Sequence, residues 1–179
     1  MSLYKLSKYK CSPAGLTDSS VNSLQPTQKY YDGWRLAGHL YRPYKRELGD
    51  LIGKRIAVLG LAFKPGTDDV RESPSITIIQ KLLEYGAFVV AHDPIAIENM
   101  KVILYDKSLT YINDLKNAIN NVDAIVLVTS WPEYNDLIEL LQSKEIPIID
   151  GRRFLDKKQF DKYSGIGLNN NLQVREGIE

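Results

Sequence analysis

From residue 55 onward, short apolar runs alternate with amphipathic stretches, and few folds accept that alternation. Residues 55–61 read as a buried strand built on Ile56-Ala57-Val58-Leu59. Ser73 then suits an N-cap and Pro74 the first helical turn. Ile76, Ile78, Ile79, Leu82 and Leu83 form one apolar helix face, and Gly86 supplies a C-terminal stop. Residues 88–92 read as a second strand, closed by Asp93-Pro94. Further strands are expected at 102–105, 124–129, 146–150 and 165–168, with helices at 113–120 and 134–142. Strands interleaved with helices imply an α/β fold, a doubly wound parallel sheet covered on both faces. Upstream the pattern fails. Residues 1–27 mix Ser, Thr, Lys, Pro and Gly without periodicity and read as a disordered or loose arm. Residues 28–50 read as a partly helical linker, with Tyr30, Trp34, Tyr41 and Leu48 near helical spacing and Gly33, Gly38 and Pro43 interrupting it. The folded domain is expected over 51–179.

Charge and cysteine content narrow the partners. Twenty-three Lys and Arg against 22 Asp and Glu leave a net charge of +1. That balance gives no electrostatic case for nucleic acid or an anionic membrane. No apolar run approaches membrane-spanning length, and the N-terminus carries no signal-type apolar stretch. The single cysteine, Cys11, allows neither an internal disulfide nor zinc-ligand spacing. A reducing cytoplasm is the simplest compartment.

In a parallel α/β sheet, ligands bind at turns that leave the carboxyl ends of strands. The first such turn, residues 60–75, carries a lysine, two aspartates and an arginine where a dinucleotide site carries G-x-G-x-x-G. Lys64 puts a compact ammonium there, suited to a phosphate or diphosphate, or else simply solvated beside a core phenylalanine. The fork of Arg71 suits diphosphate or ribose oxygens, and equally a local ion pair with Asp68, Asp69 or Glu72. Thr67, Asp68 and Asp69 can bond to the loop backbone and are read as architecture. No His or Glu elsewhere completes a general acid/base or magnesium site with them. Asp150-Gly151-Arg152-Arg153 follows another strand and should open on the same edge, bringing Arg152 near Lys64. Asp93 stands where a dinucleotide fold places its ribose-binding acid, but without the glycine fingerprint it reads as the opener of an Asp-Pro turn. Trp131 reads as packing, at the border of the cleft. His39 and His92 lack a triad-like context.

Gly60-Leu61-Ala62-Phe63-Lys64-Pro65, followed by Thr67-Asp68-Asp69-Val70-Arg71-Glu72-Ser73-Pro74, resembles the C-terminal, UDP-binding domain of the nucleotide-sugar dehydrogenases, the UDP-glucose/GDP-mannose dehydrogenase family. The resemblance spans residues 51–168 and implies a Rossmann-like domain. It implies that Phe63, Lys64 and Arg152 contact a UDP-sugar substrate. It also implies that Arg71 reaches across a cleft to NAD held mainly on a separate N-terminal domain. Members of this family oxidise a sugar primary alcohol to a carboxylate in two hydride transfers to two NAD, and they dimerise largely through a central helix. A homodimer is therefore one expectation. Two family motifs have no match among these residues. The catalytic Gly-Gly-Ser-Cys-Phe-Pro-Lys-Asp pattern is absent, since Cys11 sits in Lys10-Cys11-Ser12-Pro13-Ala14-Gly15, and so is G-x-G-x-x-G. The expectation is a UDP-sugar-binding domain with no catalytic residue and no metal ligand of its own, needing the missing NAD-binding domain as partner. UDP-glucose is the first substrate expected, with UDP-N-acetylmannosamine or GDP-mannose as alternatives. A non-catalytic assembly or regulatory module and an autonomous dinucleotide binder are the competing readings.

Overall fold

A computed structural model describes residues 48–141 and 145–165. Its six strands are β1 (Arg55–Leu59), β2 (Phe88–His92), β3 (Leu109–Tyr111), β4 (Ala124–Leu127), β5 (Ile148–Asp150) and β6 (Tyr163–Gly165). All pair in parallel, in the order β3-β2-β1-β4-β5-β6. This is the doubly wound order of the Rossmann-like folds, and its direction reverses between β1 and β4. Ile56 pairs with Val89 on one side and with Ala124 on the other. The crevice that such a reversal opens lies at the carboxyl ends of these strands.

The apolar runs are continuous because these strands are buried on both faces. Ile56 and Val58 face one core layer with Ile78, Ile79 and Leu82 of α1 (Pro74–Glu84) and with Ile97 and Met100 of α2 (Ile97–Ile103). Ala57 and Leu59 face the other layer. That layer is closed by Ile119, beside the single-turn α3 (Leu115–Ala118), by Tyr134 of a 3-10 turn (Pro132–Asp136), and by Leu137 of α4 (Leu137–Leu140). Helix α1 begins as its residues suggest, with the Ser73 hydroxyl accepting from the Ser75 amide and Pro74 in the first turn.

Several expected boundaries move. The β-branched run at 102–105 is not the third strand. Val102 and Ile103 end α2, because Ile97 and Met100 sit at helical spacing and bury that helix, leaving Val102 87% exposed. The third strand comes later, at β3. The expected helix at 134–142 divides into the 3-10 turn and α4. The strand expected at 146–150 shortens to β5, after Pro147. The last strand is β6, ahead of the expected 165–168, of which 166–168 lie outside the described residues. The arm at 1–27 and positions 28–47 of the linker also lie outside them, with Cys11, Tyr30, Trp34, His39 and Tyr41.

Candidate functional site

The turn after β1 begins with Gly60 at φ +92°, a conformation few side chains accept. A Cβ there would sit 2.5 Å from both the Cβ and the backbone nitrogen of Thr129, just past β4. Glycine therefore lets the exits of β1 and β4 touch. Thr129 uses the closeness: its hydroxyl donates to the Ala62 carbonyl at 2.6 Å. Beyond Ala62 the loop folds on itself. The Phe63 amide donates to the Asp69 carbonyl at 2.8 Å, and Thr67 Oγ1 accepts the Asp69 amide at 3.1 Å. Asn99 Nδ2 donates to the Asp68 carbonyl at 2.9 Å, tying the loop to α2. The Ser75 hydroxyl donates to the Leu61 carbonyl at 3.0 Å, tying it to α1. Residues 63–66 are left as an exposed tip.

Lys64 stands on that tip, and no protein group among the described residues bonds its ammonium. Arg152 comes to the same edge by another route. Its Nε donates to the Val128 carbonyl at 2.7 Å, while its terminal nitrogens take no partner among the described residues. Val128 adjoins Thr129, which holds Ala62, so the chain of contacts from Arg152 runs to within two residues of Lys64. The buried carboxylate of Asp150 shapes the Arg152 turn. Its Oδ1 accepts the Arg152 amide, and its Oδ2 accepts the Phe154 and Leu155 amides and the Tyr163 hydroxyl, all within 2.9 Å. Burial, then the bond to Asp150, pushes the Tyr163 phenol above its usual range.

Arg71 shows the local ion pair. Its Nε and Nη2 form a fork on the two oxygens of Asp69 at 3.0 and 2.9 Å, and the side chain is otherwise exposed. The Asp69 hydrogen bond, then its charge, raises the guanidinium pKa further. Glu72 and Arg153 take left-handed φ values of +58° and +53°. Each directly follows a candidate ligand arginine, where a non-glycine left-handed residue costs about 1–2 kcal/mol.

Asp93 is more than the opener of a turn. Its Oδ1 does accept the Ile95 and Ala96 amides at 3.0 and 2.9 Å. Its Oδ2 accepts the Leu61 and Ala62 amides at 2.7 and 3.0 Å and the Trp131 indole N–H at 3.0 Å. Trp131 thus packs between both core layers and also borders the crevice. Nothing around Asp93-Pro94 in the sequence signals the three long-range donors. The run Gly60-Leu61-Ala62-Phe63-Lys64-Pro65 keeps only the first glycine of G-x-G-x-x-G. The amides that would face a dinucleotide's diphosphate are already engaged by a carboxylate, so this crevice does not fit NAD.

Next to Asp93, His92 is buried with its Nδ1 3.1 Å from the Tyr134 hydroxyl and its Nε2 3.4 Å from Glu133. Burial lowers the His92 pKa and raises that of Glu133, the latter helped by the charges of Asp93 and Asp136. Burial thus disfavours the charged form of this enclosed imidazole. A concavity of about 710 Å³ lies at the opposite edge of the sheet, between Gly49–Ile52 and Glu84–Gly86, and holds none of the candidate residues. Among the described residues, no group of three or more His, Cys, Asp or Glu could hold a metal, and no helix is long and apolar enough to cross a membrane.

Residues 57–157 match the model of the UDP-glucose/GDP-mannose dehydrogenase family, UDP binding domain. The chain is 44% identical over 122 residues to UDP-glucose 6-dehydrogenase AglM of Haloferax volcanii, covering 68% of this chain and 28% of that protein. It is 45% identical over 117 residues to UDP-glucose 6-dehydrogenase of Rickettsia conorii, covering 64% of this chain and 27% of that protein. Among solved structures it is similar to a UDP-glucose dehydrogenase from Pyrobaculum islandicum, with a TM-score of 0.66 and 34% identity, covering 74% of this chain and 30% of that one. The chain thus spans less than a third of the length of each of these three relatives.

Proposed function

The chain belongs to the UDP-glucose/GDP-mannose dehydrogenase family through its UDP-binding domain, and from that membership we propose that it forms the UDP-sugar-binding wall of a UDP-glucose 6-dehydrogenase. The observation that supports this reading is two cationic groups at the carboxyl ends of β1 and β5, Lys64 and the terminal nitrogens of Arg152, with no protein partner among the described residues. A diphosphate that reached both would gain two charge-assisted contacts. Phe63, 37% exposed beside Lys64, offers a ring face to the base or sugar. Asp150 and Thr129 hold the two turns in place, so neither cation depends on the ligand for its backbone position.

Arg71 is assigned to the cofactor side of the cleft. Its fork on Asp69 leaves the side chain exposed and aims the guanidinium without burying it. NAD, bound on a separate domain, supplies the hydride acceptor in this family. The residues here contribute binding and orientation of the nucleotide sugar and carry no step of that transfer. The balanced charge and single cysteine support a cytoplasmic setting.

Calorimetric titration tests the proposal. UDP should bind this chain and GDP should bind at least tenfold more weakly. Lys64→Ala should weaken UDP about tenfold or more, the order expected for one hydrogen bond to a charged group. Equal affinity of wild type and Lys64→Ala would sink the assignment and favour a non-catalytic assembly module. Tighter GDP than UDP would move the substrate to the GDP-mannose branch.

A further inference from the structure

We propose that Asp93 is a specificity-determining residue, an internal anion standing where a dinucleotide's phosphate would sit, so that this Rossmann-like crevice is closed to dinucleotides. Three donors from distant parts of the chain converge on one oxygen: the Leu61 and Ala62 amides after β1 and the Trp131 indole after β4. Asp93 itself comes from the end of β2 and is 1% exposed. These three strand ends surround the point where the sheet order reverses, the position that holds a diphosphate in a dinucleotide fold. A buried carboxylate needs such donors, and the donors need an acceptor. With Asp93 seated, a second anion would meet like charge and find the amides engaged. Negative charge on a ligand must then be met further out, by side chains at the loop tips. That last step rests on the UDP-sugar reading; the occupation of the cradle does not.

Removing the internal anion should expose a site that small anions refill. In Asp93→Ala, thermal unfolding should shift down by many degrees. Sodium formate should restore part of that loss in a saturable way, against sodium chloride at matched ionic strength. Inorganic phosphate should do the same, because the cradle is claimed to be phosphate-like. The wild type and Ser73→Ala, which is weakened in the same loop without opening the cradle, should gain no more from formate than from chloride. If Asp93→Ala does not fold unaided, the refolded yield with and without formate reads the same site, and Asp93→Ser provides a milder variant. Formate acting equally on all variants overturns the internal-anion role. Rescue by formate without rescue by phosphate overturns the exclusion of dinucleotides. Neither outcome depends on whether UDP binds.

Discussion

At the scale of single residues, the turn after β1 divides its work sharply. Gly60 is required by space and by φ together, since a Cβ would meet the backbone of Thr129. Gly60→Ala should therefore cost about 3 kcal/mol or more, within the range of severe backbone and packing faults, measured as a shift in urea midpoint. Arg71 is different. Its fork is internal to the loop, and its proposed target lies on another domain. Arg71→Ala should leave UDP affinity of this chain within about twofold, on the order of a peripheral charge, where Lys64→Ala does not. Equal losses in both variants would remove the division between substrate and cofactor sides. A long, chemically unusual run singles out Phe63, Lys64 and Arg71 in the sequence, and the separate Asp150-Gly151-Arg152-Arg153 motif singles out Arg152; their roles toward a ligand belong to the proposed function. Asp93 was only half legible. Its turn shows in Asp-Pro, but its bonds to Leu61, Ala62 and Trp131 join residues more than thirty positions apart. Only tertiary structure creates that contact.

At the scale of elements, the strands were legible where burial on both faces makes their centres apolar, as in Ile56–Leu59 of β1, Val89–Ala91 of β2 and all of β4. Short elements were not. At 102–105 the β-branched residues favour a strand, yet burial of Ile97 and Met100 pulls Val102 and Ile103 into α2. Local preference lost to packing. Helix α1 was clearer because its cap is chemical: Ser73→Ala should cost about 1 kcal/mol, read as a lower melting temperature. The end of β2 adds a pH response. Folded His92 is held neutral by burial, whereas the unfolded chain takes a proton on it at about pH 6.5. The unfolded state then binds more protons below that value, so stability is present above it and falls as the pH drops towards the depressed folded pKa. Glu133 works in the opposite sense, since burial holds its pKa above the ordinary carboxylate range, so stability falls as pH rises from its unfolded value towards the raised folded one. Urea midpoints at about pH 7.5 and about pH 5.5 should differ less in His92→Gln than in the wild type; an unchanged difference would assign the slope to other groups.

At the scale of the whole molecule, the two-layer core and the order β3-β2-β1-β4-β5-β6 carry every candidate loop to one edge. The alternation of strands and helices made that architecture legible. The identity of the sugar was not legible, because the motif that carries the resemblance concerns the nucleotide end of the ligand. The chain alone should produce no NADH from UDP-glucose; robust turnover by the purified chain would overturn the division of labour. The internal carboxylates bear on the speed of binding under the proposed function. Asp93 and Asp150 hold their loops from within, each by several main-chain bonds. On the proposed function, a ligand would meet turns that are already held and would have little chain to organise. Encounter should be governed by diffusion and long-range attraction to Lys64 and Arg152, so that association slows steeply as salt is added while dissociation barely changes.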